Sequence, residues 1–119
     1  MDNSLRKGIN FDLDTAALQE YYPKGDWHNA YYDVRIYFQK NGFEHIQGSG
    51  YHSLNPMSEA KAMAVIYRMT KEISWLNYCV SICTIADVPE LFDISHVFQE
   101  RQDSGSKATL YGRNSMQRT

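Results

Sequence analysis

The stretch FEHIQGSGYHSL, Phe43–Leu54, sits between two long amphipathic segments and reads as two short strands in direct succession. Phe43 to Gln47 forms the first and Ser49 to Leu54 the second, or the two make one strand broken by a bulge near Gly48. The Gly48-Ser49-Gly50 run lets the backbone turn tightly or approach a ligand closely, because glycine accepts conformations that a side chain forbids.

Upstream, DWHNAYYDVRIYFQKNGF places Trp27, Ala30, Tyr31, Val34, Tyr37 and Phe38 on one helical stripe. Asp26 is the expected N-cap and Gly42 the stop. Downstream, NPMSEAKAMAVIYRMTKEISW is a second amphipathic helix capped by Ser58. Its packed side is expected to carry Ala60, Met63, Ala64, Ile66, Tyr67, Thr70 and Ile73.

Outside this pair lie two more strands. In GINFDLDTAAL, Ile9, Phe11 and Leu13 alternate with Asn10, Asp12 and Asp14, the pattern of a half-buried strand. Thr15 is expected to cap a short helix after it, ended near Pro23 to Gly25. YCVSICTIADV is apolar on both faces and reads as an interior strand covered on both sides. Beyond Pro89, ELFDISHVFQER fits either a short helix capped by Asp93 or an extra strand over Ile94 to Phe98.

Strand, helix, strand, strand, helix, strand with right-handed crossovers is the α+β, ferredoxin-like βαββαβ arrangement. It has an antiparallel sheet with both helices on one face, plus an additional C-terminal element. Residues 1–100 are read as one domain and 101–119 as a polar, flexible tail. The helix-free face calls for cover, which a homodimer supplies.

At 119 residues, 43% hydrophobic and 22% charged, the chain belongs to the ordinary globular class. A net charge of −2 provides no global field for nucleic acid, so a site for it must be local. No apolar run is long enough for a membrane span, and the polar start carries no signal core; the expectation is a cytoplasmic protein. Cys79 and Cys83, about 13 Å apart if both lie on one strand, are too far apart for a disulfide and are read as free core thiols. Walker, G-x-S-x-G and H-E-x-x-H motifs are absent from the sequence. His28, His45, His52 and His96 lack short metal-ligand spacing and are read as solvated or hydrogen-bonded histidines.

Asp12 and Asp14 share one side of their strand, with side-chain bases about 7 Å apart. Such acids hold a divalent cation or act as a general base; alternatively they face solvent, with Asp14 helping to cap the next helix. Ser49 is either a turn serine or a hydroxyl that hydrogen-bonds a phosphate. Tyr31, Arg35, Tyr51 and Arg68 fit an aromatic and basic rim for single-stranded RNA, or equally the core edge and helix surface.

INFDLD, HNAYYDVRIYFQKNGFEHIQGSGY and ISWLNYCVSICTIADV, in that order over residues 8–88, resemble the VapD family, virulence-associated protein D. The likeness lies in the Phe-Asp-Leu triplet, the Ala-Tyr-x-Asp of the first long helix, Gly-Phe followed by Gln-Gly-Ser, and Trp-Leu before the last strand. That family is similar in fold to the small CRISPR-associated nucleases, and its members are dimeric endoribonucleases behaving like toxin RNA interferases. The resemblance implies that Asp12 contributes to phosphodiester cleavage with Ser49 beside it as the expected catalytic pair, and Asp14 lies outside the motif; on chemical grounds an ionised Asp12 is able to supply the base or to hold Mg²⁺. Gln47 of Gln-Gly-Ser joins Tyr31, Arg35, Tyr51 and Arg68 as the expected RNA-binding set. It further implies an RNA substrate, a homodimer, an antitoxin partner and no membrane association. The competing expectation is a catalytically silent dimeric module that binds RNA or protein.

Overall fold

A computed structural model describes residues 3–105. The chain falls into two compact units divided after Pro89. The first contains β1 (Arg6–Leu13), α1 (Thr15–Tyr21), α2 (Asn29–Lys40), β2 (Phe43–His45), β3 (Gly50–Ser53), α3 (Glu59–Glu72), a 3₁₀ helix (Ser74–Tyr78) and β4 (Val80–Val88). The second holds α4 (His96–Gly105).

The four strands form one antiparallel sheet in the order β2-β3-β1-β4. This is the ferredoxin-like order, in which each crossover helix returns the chain past one intervening strand. The two-strand reading of Phe43–Leu54 holds. Ile46 N–H donates to Gly50 O and Gly50 N–H to Gln47 O, closing a tight hairpin in which Gly48 takes φ +55°. That left-handed conformation favours glycine over any residue with a Cβ.

The alternation along β1 directs Ile9 and Phe11 into the core and leaves Asn10 exposed. Phe38 of α2, fully buried, lies edge-to-face with Phe11 and Phe43 at 5.6 Å each and stacks on Tyr51 at 4.2 Å. A second cluster, Leu18, Ala30 and Cys79 backed by Trp27 and Trp75, fixes α1 and the 3₁₀ helix at the C-terminal end of β1.

Several local expectations are corrected. Asp14, not Thr15, caps α1, accepting from Ala16 N–H at 3.0 Å. Asp26 caps no helix; it accepts from the backbone and ring of His28, while α2 begins after His28 without a side-chain cap. Ser58 does cap α3, but the buried face of that helix is Ala62, Val65 and Met69, with Ile66 and Ile73 partly buried. Ala60, Ala64, Tyr67 and Thr70 are exposed. β4 is an edge strand rather than an interior one, and Ser81 to Thr84 are exposed. Both thiols are free, as expected, but only Cys79 is buried; Cys83 is exposed on β4. The segment after Pro89 takes the helical alternative, with Asp93 accepting from Ser95 N–H at 2.9 Å. Of the expected tail, residues 101–105 belong to α4 and 106–119 lie outside the described residues.

Candidate active site

β3 begins at Gly50, opposite Asn10, so its ladder ends before β1 does; only the Phe11 N–H to Ser49 O bond, 2.8 Å, carries the pairing further. Asp12 and Leu13 therefore lack a neighbour on the β3 side. On the other side, the register with β4 shifts between Asp12 and Leu13, leaving Ser81 as the extra residue of a bulge. The Ser81 hydroxyl donates to Asp12 O at 3.3 Å. A bulge re-aims the side chains beside it, and bulges are over-represented next to active sites.

The gap left by the short ladder is a cavity of about 540 Å³. Asp12 and Ser49 contribute from the strand ends, Tyr31 and Arg35 from α2, and His45 and Tyr51 from β2 and β3. Among the described residues, Asp12 is the one carboxylate on its lining and Arg35 the one permanent cation. The α2 stripe explains Tyr31: it stands one turn from buried Val34 on the same side, yet it is exposed because the cavity, not the core, lies over it.

Ser49, His45 and Tyr51 each have a local partner. The Ser49 hydroxyl donates to Asn10 Oδ1 across the strand gap, fixing the hairpin against β1. His45 Nε2 lies 2.8 Å from Gly48 O, and its ring is 5.2 Å from that of Tyr51. Burial pushes the Tyr51 hydroxyl pKa upward, against the charge and hydrogen bond of the Arg35 guanidinium, which pull it down.

The cavity thus brings together Asp12, Ser49, Tyr31, Arg35 and Tyr51. Gln47 sits beside it in the hairpin turn, its backbone carbonyl accepting from Gly50. Arg68 stands apart on α3, donating to Asn41 Oδ1 at 2.7 Å. Asp14 also leaves the group, engaged as the α1 cap. His45 and Asn10 are the residues that sequence reasoning did not select. Asn10 shares a strand face with Asp12, which was the available signal. His45 carried only its position before Gln-Gly-Ser. His45 is registered with Tyr51, so His52, registered with Glu44, points to the opposite face of the sheet.

Among the described residues, no three His, Cys, Asp or Glu side chains form a metal cluster. One carboxylate together with substrate phosphate oxygens is nonetheless a usual donor set for Mg²⁺, and Asp12 can supply the carboxylate. No helix among the described residues is long and apolar enough to cross a membrane.

No protein-family model matches the chain. Endoribonuclease VapD 2 of Riemerella anatipestifer is similar to it, with 29% identity over 86 residues that span 72% of this chain and 92% of that relative. The matched length is close to that of the βαββαβ unit, Arg6 to Val88. On this similarity and the fold it accompanies, the chain resembles the VapD endoribonucleases.

Proposed function

We propose that the protein is an endoribonuclease that cleaves single-stranded RNA, including mRNA, at the cavity beside Asp12. The observation that carries this reading is the meeting of one carboxylate at a strand bulge with a serine hydroxyl, a guanidinium and an exposed tyrosine. Phosphodiester cleavage needs a base for the attacking hydroxyl and relief for the extra negative charge on phosphorus. Asp12 serves as the base. Arg35 is placed to meet a phosphate oxygen, and Tyr31 offers a face on which a base can stack. Ser49, held by Asn10, positions the hairpin and hydrogen-bonds the phosphate. Asp12 would be the residue to hold Mg²⁺, which would supply Lewis-acid stabilisation of the phosphate charge.

The relative's name supports the activity, and a toxin role with an antitoxin partner extends it. We place the protein in the cytoplasm, where RNA is encountered. The helix-free sheet face, with Ile82 of β4 48% exposed, is the surface proposed for the homodimer.

The test is RNA degradation by the purified protein, in Mg²⁺ and in EDTA, beside Asp12→Ala. The expected loss on substitution is roughly 10²- to 10⁴-fold. Full-rate cleavage by the variant would remove Asp12 from the mechanism. RNA retention in a mobility assay without shortening of the strand would support the silent binding module instead.

A further inference from the structure

His45 shares the cavity with Asp12 but comes from the neighbouring hairpin, so the two line different walls of one space. Its Nε2 is 2.8 Å from the carbonyl oxygen of Gly48. A carbonyl only accepts, so the hydrogen bond assigns the proton to Nε2 and leaves Nδ1 as the nitrogen that exchanges a proton. Tyr51 at 5.2 Å restrains the ring from one side. An imidazole oriented by a backbone carbonyl through one nitrogen, with a carboxylate in the same cavity, is the pairing that acid–base cleavage of RNA requires.

We propose that His45 is the general acid of the cleavage step, an assignment that rests on the ribonuclease reading above. In this step the 2′-hydroxyl proton passes to the Asp12 carboxylate, and the 2′ oxygen forms a bond to phosphorus. The bond from phosphorus to the 5′ oxygen breaks, and that oxygen takes the proton from Nδ1 of imidazolium His45. The products are a 2′,3′-cyclic phosphate end and a 5′-hydroxyl end. Solvent then returns a proton to His45 and removes one from Asp12, so the charges balance over the cycle. Gly48 O holds the Nε2 proton throughout and keeps the ring in place.

The other titratable or charged groups lining the cavity are Asp12 on β1, Tyr31 and Arg35 on α2, and Tyr51 on β3. A group must carry a proton to act as an acid, so the proposed step requires that proton on Nδ1.

The test compares the full-length protein with His45→Gln, whose amide can still donate to Gly48 O but cannot act as an acid. Two substrates are used: an ordinary RNA, and the same RNA with sulfur in place of the 5′ bridging oxygen at the cleaved linkage. Sulfur leaves without protonation, so loss of the acid matters only for the ordinary linkage. His45→Gln is expected to cut the ordinary linkage at least 100-fold more slowly and to cut the sulfur linkage near the unaltered rate. Asp12→Ala is expected to be slow on both. A His45→Gln protein that is equally slow on both substrates, or that cuts the ordinary linkage at the unaltered rate, overturns the assignment and leaves the ribonuclease reading standing. Failure of the unaltered protein to cut either substrate overturns the ribonuclease reading, and the assignment with it.

Discussion

Two aspartates two positions apart do different work because the backbone changes between them. Asp12 is still in the strand, at the bulge; Asp14 is beyond it, with its carboxylate turned back to Ala16 N–H. Spacing alone put both on one side of an extended chain and could not separate them. A second residue-scale consequence concerns Tyr22, whose hydroxyl donates to Asp33 at 2.7 Å and whose ring packs edge-to-face on Trp75. Burial first, and the hydrogen bond to Asp33 second, raise its pKa from 10.0 to about 12. The folded state therefore favours the neutral phenol, and this stabilisation is fully present below pH 10 and lost as pH rises towards about 12. Urea melts between pH 8 and 12 are expected to show a steeper alkaline decline for the unaltered protein than for Tyr22→Phe.

At the scale of elements, the helices show where periodicity has one solution and where it has two. On α2 the large residues fall on a single stripe, and Ala30, Val34, Tyr37 and Phe38 are buried as that stripe requires. On α3, alanine, methionine and tyrosine occupy several faces, so two stripes compete. The sheet selects the one carrying Val65 and Met69, and Tyr67 is left 63% exposed. β4 misleads for a related reason: apolar residues on both faces suggest cover on both sides, yet its position in the sheet is the edge. What fastens this edge is partly ionic. Lys7 of β1, fully buried, reaches Asp87 of β4 at 2.8 Å and Leu5 O at 3.2 Å. Removing one partner of a buried pair costs about 3–5 kcal/mol, and the partial exposure of Asp87 reduces that here to roughly 2 kcal/mol for Lys7→Ala. Replacing both, Lys7→Met with Asp87→Leu, is expected to recover most of the loss in chemical denaturation, since burying two charges is itself costly.

For the whole molecule, every buried core residue among the described residues lies before Pro89. Residues 1–89 therefore contain the apolar burial that drives folding, while the large side chains Leu91, Phe92 and Phe98 are exposed. A chain truncated after Pro89 is expected to unfold in one cooperative transition, with a midpoint within a few degrees of the full chain, as read by circular dichroism. Loss of the transition would mean that the second unit supports the first.

The order of the elements, the hairpin at Gly48 and the core alternation of β1 were determined by the sequence alone. Each depends on residues close together in the chain: period-two and period-3.6 patterns, and a glycine that accepts φ +55°. The active-site candidates were only partly legible. Asp12 and Ser49 could be named, but their meeting with Arg35, Tyr31 and His45 depends on where the β3 ladder stops and on the bulge at Ser81. Those are pairings between residues some 40 and 70 positions apart. Local propensity carries no information about such register, because it is settled by which side chains the assembled core buries and which backbone groups are left to pair.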